Sequence, residues 1–239
     1  MLPWRVFLPA WRCHHTKPSP QSVRNDLRTL LRETAQPVAV VTSLMPEIHL
    51  SKSESHPHSK FHGATLSSFS SIAMDPHPLV AFSLRIPSRM ATSLKDAHID
   101  WPSHMVVNIL SASQADVAVK FSRVDLHPYP FQSVPYFLSE EGLPVIEGSL
   151  GALSCKLVAS SWPLHDLEVL RSGKRREVEK AWEGEGVASE LFIARVTRVE
   201  SLASSDASEE DLRTLPLLYH RRGYSTTSEI PHDVHLNRK

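Results

Sequence analysis

The spacing of apolar residues along the chain indicates which segments form helices and which form strands. Leu27, Leu30 and Leu31 recur at helical spacing and predict a helix over residues 25–34. Pro37 ends this pattern, and the β-branched run at 38–42 predicts the first strand. Short apolar or alternating runs predict further strands at residues 61–71, 79–85, 105–110, 153–159, 191–199 and 215–219.

Two short helices and several polar loops are predicted between the strands. Ser88 is a suitable N-cap for a helix that runs to Asp96. The sequence Ser113-Gln-Ala-Asp116 fits a capping box for a helix that continues to Phe121. The segment at 164–170 could pair with the strand before it. Polar and charged composition predicts surface loops at residues 45–60, 171–185 and 201–211.

These elements predict a mainly β fold. Helices and strands do not alternate regularly, so a doubly wound parallel sheet is not expected, and a closed antiparallel barrel fits the pattern better. The chain has 239 residues, of which 41% are hydrophobic, and this suits one domain with tails. We place that domain at residues 25–227, with a leader at 1–24 and a flexible tail at 228–239.

Composition and charge narrow the classes of function. The chain carries 26 Lys and Arg residues against 26 Asp and Glu residues, so no excess positive charge favours nucleic acid or a membrane surface. No apolar run in the sequence is long enough to span a membrane. The two cysteines, Cys13 and Cys155, suggest neither a disulfide framework nor a metal cluster, and a reducing compartment fits.

The first residues differ in composition from the rest of the chain. Residues 1–25 contain no Asp or Glu, and apolar residues at positions 4, 7, 8 and 11 would form one stripe on a helix that also carries Arg5 and Arg12. Acid-poor, arginine-bearing leaders resemble mitochondrial transit peptides, whereas Pro3 and Pro9 favour a disordered tail. Both interpretations are open. We expect import into the mitochondrial matrix, with a cytoplasmic location as the alternative.

Several catalytic motifs are missing from the sequence. No G-x-G-x-x-G, P-loop, G-x-S-x-G or H-E-x-x-H pattern occurs. The absence of the first of these disfavours a Rossmann dinucleotide fold. Histidines cluster at positions 49, 56, 58 and 62, but their irregular spacing indicates solvated loop side chains, so no metal site is predicted. The pair His165-Asp166 is more typical of a strand end at the surface than of acid–base chemistry.

Residues 62–89 carry a resemblance to a known family. They contain a small-residue run at 63–71, the turn Asp75-Pro-His-Pro-Leu-Val80 into a strand, and Pro87-Ser-Arg89 after that strand. In the order and spacing of such segments, over about residues 34–227, the chain resembles the flavin reductase-like family of FMN-binding split barrels. The same order continues downstream at residues 106–110, 114–121, 148–155 and 216–224.

The resemblance implies a mainly β split barrel, with a few peripheral helices, that binds FMN (FAD is the alternative) and uses NAD(P)H as co-substrate. A flavin ring is flat, so small residues suit its docking face, and hydroxyl and backbone N–H groups suit its polar edge. Ser88 and Arg89, at a helix start, would bind the phosphate. Hydride transfer needs orientation rather than a nucleophile, so no catalytic residue is assigned. The implied flavin-binding residues are Thr65, Leu66, Ser67, Ser68, Ser83, Ser88, Arg89 and Phe121.

The chain departs from the family pattern in one place. Before the strand at 191–199 the family has Gly-Asp-His, whose histidine lies near the nicotinamide, and this sequence has Val187-Ala188-Ser189. Ser189 is therefore the nicotinamide-side candidate, and His220 is a candidate replacement for the missing imidazole.

The missing histidine puts NAD(P)H oxidation in question and keeps three functions open. The first is an oxidoreductase that reduces FMN with NAD(P)H and supplies a partner monooxygenase. The second is an FMN-binding protein on the same barrel that has lost the nicotinamide site. The third is a flavin-independent interaction protein. The resemblance also implies a homodimer.

Overall fold

A computed structural model of the chain describes residues 19–45, 60–159, 161–174, 187–202 and 211–228. Most of the predicted leader, of the loops at 45–60, 171–185 and 201–211, and of the tail lies outside the described residues. The chain divides into two units, Met1–Thr34 and Ala35–Lys239.

The first unit contains a helix, α1 (Pro20–Arg32). This helix begins earlier than the predicted residue 25, because Ser19 acts as N-cap by accepting a hydrogen bond from Ser22 N and a proline follows at the first helical position. The leucines of the predicted apolar stripe lie on this helix, and no residue of the helix is buried.

The second unit is built mainly from short strands. They are β1 (Gln36–Pro37), β2 (Ala39–Leu44), β3 (Phe61–Leu66), β4 (Ser70–Ala73), β5 (Leu79–Ile86), β6 (Met105–Ile109), β7 (Tyr136–Leu138), β8 (Pro144–Ile146), β9 (Gly151–Leu157), β10 (Trp162–Pro163), β11 (Ala188–Leu202), β12 (Leu218–His220) and β13 (Gly223–Ser225). The helices of this unit are α2 (Arg89–Lys95), α3 (Ala115–Ser122) and α4 (Leu167–Ser172), with 3-10 turns at Ala112–Gln114 and Pro130–Gln132.

The main sheet is antiparallel and curls into a half-barrel. Its strand order is β3-β2-β6-β9-β11-β5-β4, and β10 also pairs with β11. A smaller sheet, β1-β12-β13, and the pair β7-β8 complete the described β structure. The predicted mainly β split barrel with a few helices is confirmed.

Strands β5 and β11 pair along the whole length of β5, and their inner faces form much of the core. On β5 the buried residues are Val80, Phe82 and Leu84, and β11 adds Phe192 and Ala194. The rings of Phe82 and Phe192 stack with centroids 5.6 Å apart. Burial of each phenylalanine side chain stabilises the folded state by about 1.5–3 kcal/mol. Because these residues hold one face of each strand in the core, the alternate residues of both strands point outward.

The cap of α3 differs from the prediction. Gln114, rather than Asp116, closes the turn, because its Oε1 accepts from Ser111 N at 3.0 Å. Its Nε2 also donates to Glu147 O at 2.8 Å. A glutamine side chain is long enough to reach both groups. The 3-10 turn therefore precedes α3 along the chain, and α3 begins at Ala115.

The segment at 164–170 does not pair with β9. Helix α4 forms there instead, with Asp166 as its N-cap accepting from Glu168 N and Val169 N. Strand β9 already lies between β6 and β11, so neither of its edges is open to another strand. The short strand β10 pairs with β11 instead.

Two further features of the described residues bear on function. No helix among them combines the length and the apolar character needed to cross a membrane. Within the same part of the chain, no group of His, Cys, Asp and Glu side chains is arranged to hold a metal ion.

Candidate functional site

A cavity of about 760 Å³ lies in the second unit, with walls from β3, β5, β11, α2, α3 and the β12-β13 pair. This volume is in the range of small-molecule sites, about 300–1,000 Å³. The residues implied by the family resemblance all line it, and so does Ser189, whereas His220 is not among the lining residues. These lining residues are Thr65, Leu66, Ser67, Ser68, Ser83, Ser88, Arg89 and Phe121.

The outward faces of β5 and β11 form one wall of the cavity. Ser83 and Arg85 alternate with the core residues of β5, and both line the cavity. Arg85 is the Cα partner of Ser189 on β11. Residues directly opposite on antiparallel strands have Cβ atoms about 4.5–5.5 Å apart, so these two side chains leave the sheet side by side.

A second wall forms where β3 packs closely against α3. At Gly63 a Cβ atom would lie 2.5 Å from Phe121 Cδ1 and nearer still to Cε1. The Phe121 ring is 2% exposed and packs edge-on against Phe131, with centroids 5.0 Å apart. A glycine is therefore required at position 63, and the ring shapes the cavity from inside the core.

The hydroxyl of Thr65 is engaged by the fold. Its Oγ1 donates to Ala118 O at 2.7 Å and so links β3 to α3. The proton of this hydroxyl is therefore not available to a flavin, although sequence analysis assigned it that role. The main chain of β3 and the lone pairs of Oγ1 are what Thr65 offers to the cavity.

The serines of the cavity fall into two groups. Ser68 Oγ donates to Ser83 O at 3.2 Å and accepts from Ser83 N at 3.0 Å, so it fastens the turn after β3 to β5. Ser88 Oγ accepts from Ala91 N at 3.1 Å, which confirms the predicted N-cap of α2. The side chain of Ser67 and that of Ser83 form no hydrogen bond to the described residues, so their hydroxyls can serve a ligand.

The charged groups of the cavity are cationic. Arg85 and Arg89 both line it, and among the residues that the structure describes no Asp or Glu does. Neither arginine forms an ion pair with a described residue. Guanidinium groups bind phosphate oxygens through charge-assisted hydrogen bonds, so this wall suits an anionic group.

His62 lines the same cavity and is held neutral. Burial, together with the charge of Arg89, lowers the pKa of the His62 imidazole to about 4. At neutral pH the imidazole is therefore uncharged. One of its ring nitrogens can donate a hydrogen bond and the other can accept one. The irregular spacing of the histidines predicts a solvated loop position for His62, but the structure places it in a cavity wall.

A partly buried ion pair connects the two elements that carry Arg89 and Ser189. Glu190, which is 4% exposed, points away from the cavity and accepts from Lys95 Nζ at 2.6 Å and from Ser161 Oγ at 2.7 Å. Lys95 is the last residue of α2. The contact ties the end of α2 to the start of β11, so it sets where Arg89 and Ser189 stand relative to each other.

Two tyrosines occupy the wall where sequence analysis placed His220. Tyr219 and Tyr224 are Cα partners on β12 and β13, and their rings meet edge-on at 5.7 Å. Since side chains alternate along a strand, the inward position of Tyr219 directs His220 to the other side of β12. His220 is thus not brought together with Ser189. The partly buried Tyr224 has its pKa raised, first by desolvation and then by Tyr219.

Arg85, His62 and the two tyrosines are among the lining residues that were not predicted from the sequence. The alternation of β5 could have indicated Arg85, because Ser83 had been assigned to the cavity and lies two positions before it. His62 directly precedes the small-residue run. The tyrosines reach the cavity only through strand pairing far along the chain.

The lining set fits a flat aromatic ligand with an anionic tail. Small side chains on β3 leave the main chain accessible, free hydroxyls stand on β5 and the turn after β3, and two guanidinium groups lie at the side. A protein nucleophile is not supplied by Cys155, because burial raises the pKa of its thiol to about 12. The arrangement can bind and orient a cofactor that carries its own chemistry.

Known proteins are similar to this chain in sequence. The FMN reductase (NADH) SmoA of Agrobacterium fabrum is 30% identical over 146 residues, covering 58% of this chain and 70% of that protein. The reductase subunit HsaB of a flavin-dependent monooxygenase from Mycobacterium tuberculosis is 31% identical over 97 residues, covering 41% of this chain and 48% of that protein.

A solved structure supports the fold. Nitrilotriacetate monooxygenase component B from Mycobacterium thermoresistibile has a TM-score of 0.60 with this chain at 19% identity, covering 92% of this chain and 96% of that chain. Residues 31–228 match the flavin reductase like domain. Since this match extends over most of the sequence and includes every wall of the cavity, the chain belongs to the flavin reductase like domain family.

Proposed function

We propose that this chain is an oxidoreductase that holds FMN in the cavity and passes to it a hydride from NAD(P)H. The observation that carries the proposal is the cavity itself, where small residues, two serine hydroxyls and two arginines meet, and none of these polar side chains is paired with a carboxylate of the described residues. The relative named as an NADH-dependent FMN reductase supports both the cofactor and the co-substrate.

The proposed roles of the residues follow from their contacts. Bound FMN supplies the hydride-accepting chemistry, so the protein has to bind, orient and exclude water. The main chain of residues 63–68 provides the docking face, and the free hydroxyls of Ser67 and Ser83 face the polar atoms of the ring. Arg89 binds the phosphate. Phe121 holds the shape of the wall from the core.

Ser189 is the proposed nicotinamide-side residue. It stands in the cavity wall next to Arg85, at the position where the family has a histidine. A serine covers less surface than an imidazole and holds a nicotinamide less firmly, so we propose slow oxidation of NAD(P)H together with firm FMN binding.

The function is tested by titrating the purified chain with FMN and then following NADH and NADPH oxidation with FMN present. The expected result is saturable FMN binding and measurable oxidation of at least one nucleotide. Saturable binding without any oxidation would replace this proposal by the non-catalytic flavin-binding protein. Absence of binding would overturn both and leave the flavin-independent alternative.

Assembly and location are further proposals. We propose a homodimer, because the cavity lies open at the surface and a second copy would cover the flavin. We also propose that reduced flavin passes to a partner monooxygenase, supported by the relative named as the reductase subunit of such an enzyme. The acid-poor leader supports import into mitochondria, and a fluorescent fusion of residues 1–24 that stays in the cytosol would contradict it.

A further inference from the structure

His62 is a titratable side chain of the cavity that the proposed hydride transfer does not use. It lies on β3 directly before Gly63 and shares the cavity with Arg89. A role for the neutral His62 imidazole beside Arg89, in a cavity proposed to bind the FMN phosphate, is therefore not yet assigned.

The strand geometry directs His62 toward α2. Side chains alternate along β3, so His62 shares a face with Ala64 and Leu66, both of which pack in the core cluster that includes Met90 and Leu94 of α2. Its Cα partner on β2 is Ser43, whose Oγ donates to Met90 Sδ at 3.5 Å. Both strands therefore present this face to the helix that begins with Arg89.

The other face of β3 belongs to α3. Gly63 packs against Phe121, and Thr65 donates to Ala118 O of α3. The charged pair of that helix, Lys120 with Asp116, therefore lies on the side of β3 that His62 does not face.

The charged and titratable groups around His62 are cationic or aromatic. Arg89 approaches from α2 and Arg85 from β5, while Tyr219 and Tyr224 complete the wall. Strand β2 carries no charged residue, and Lys95 at the far end of α2 is engaged by Glu190 at 2.6 Å. No carboxylate from the described part of the chain lines the cavity to favour a protonated imidazole.

We propose that His62 is a second ligand of the flavin phosphate, beside Arg89, and that it takes up a proton when the phosphate binds. A dianionic phosphate next to Arg89 reverses the sign of the local field, because it more than compensates the guanidinium charge. The imidazole that Arg89 and burial keep neutral then gains an anionic partner. In its protonated form both ring nitrogens donate, so it can form a charge-assisted hydrogen bond to a phosphate oxygen.

The sign of the pH dependence follows from this linkage. His62 binds no proton at neutral pH in the free protein and binds one in the complex, so FMN affinity must increase as pH falls. The phosphate of FMN loses its second proton at pH ~6, so a fall in pH protonates it and weakens FMN binding. This effect opposes that of His62. The ionisation of free FMN is the same for every variant, so the difference between variants reports the coupled titration of His62 and the bound phosphate.

The test is calorimetric titration of the full-length chain with FMN at about pH 6 and about pH 8 in buffers of different ionisation enthalpy. Wild type is expected to take up more protons at the lower pH than His62→Gln. The variant should lose about tenfold in FMN affinity there, the equivalent of one pKa unit of linkage. Riboflavin, which lacks the phosphate, should bind both proteins alike and take up no proton. His98→Gln is the matched control, because His98 is exposed and does not line the cavity.

Equal proton counts in wild type and His62→Gln would overturn the proposal, and so would equal losses for FMN and riboflavin. As an independent readout, the pH titration of the His62 ring by NMR should move to higher pH on adding FMN and stay in place on adding riboflavin. The inference rests on the proposed function, and the two fail differently. A chain that binds neither flavin refutes the function, whereas one that binds FMN without proton uptake by His62 refutes this inference alone.

Discussion

At the scale of single residues, the cavity separates side chains that hold the fold from side chains that are left for a ligand. The hydroxyls of Thr65, Ser68 and Ser88 are engaged by main-chain groups. Arg89 lines the cavity, is exposed, and forms no ion pair with a described residue. A guanidinium that no described carboxylate engages is available to bind an anion, so Arg89 is the residue most directly tied to the phosphate.

We expect Arg89→Ala to weaken FMN binding by about 1.5–3 kcal/mol, because a hydrogen bond to a charged group is lost. Riboflavin affinity should not change. Fluorescence titrations of both flavins measure this, with Arg195→Ala on the exposed part of β11 as the control. Equal losses for the two flavins would contradict the phosphate assignment.

We expect Ser189→His to raise kcat/KM for NADH and to leave FMN affinity nearly unchanged, because an imidazole offers more surface for orienting the nicotinamide. Steady-state NADH oxidation measures the effect. His220→Ala should change little, since His220 does not line the cavity. A fast wild type that His220→Ala cripples would show that this histidine has replaced the missing one.

At the scale of elements, the cavity depends on how closely β3 packs against α3 and on how α2 is tied to β11. The first contact rests on Gly63, Phe121 and the Thr65 hydrogen bond. The second rests on the partly buried pair of Lys95 and Glu190. Each contact joins segments that lie far apart in the sequence, so the cavity requires the assembled second unit.

Gly63→Ala is expected to lower the free energy of unfolding by about 1–3 kcal/mol, because the added methyl group has to displace the buried Phe121 ring. FMN binding should weaken as the ring moves. Denaturant unfolding measures the stability change. Gly223→Ala is the control, since its Cβ would meet only His220 O at 3.7 Å. A similar cost in both variants would count against this packing argument.

At the scale of the whole molecule, part of the surface of the second unit is apolar. Strand β4 is the last strand on one side of the main sheet, and Ile72 is 49% and the neighbouring Met74 71% exposed. An open sheet edge with large apolar side chains is a site for association with another chain.

We expect a homodimer in solution at micromolar concentration with FMN present, with an interface that buries more than about 2,000 Å². Sedimentation or light scattering gives the mass. Met74→Asp should shift the equilibrium toward monomer if the β4 edge takes part, whereas Ile99→Asp at another exposed apolar position should not. A wild-type chain that has the mass of one copy under these conditions contradicts the prediction.

The amino-acid sequence by itself determined the features that depend on neighbouring residues. Strand β5 and the Ser88 cap of α2 follow from local patterns and formed where they were predicted, and β11 includes the predicted residues 191–199 and extends beyond them at both ends. The predicted cavity residues lie mostly between 65 and 89, and they could be predicted because they are close in sequence as well as in space.

The tertiary structure alone decided the features that depend on distant partners. Segment 164–170 became helical because the edges of β9 were already taken, and Thr65 lost its free hydroxyl to a carbonyl group of α3. Tyr219 occupies the cavity side of β12, so His220 is excluded from the cavity. Hydrogen bonds and strand register between remote segments leave no local signal, so these outcomes follow only from the assembled fold.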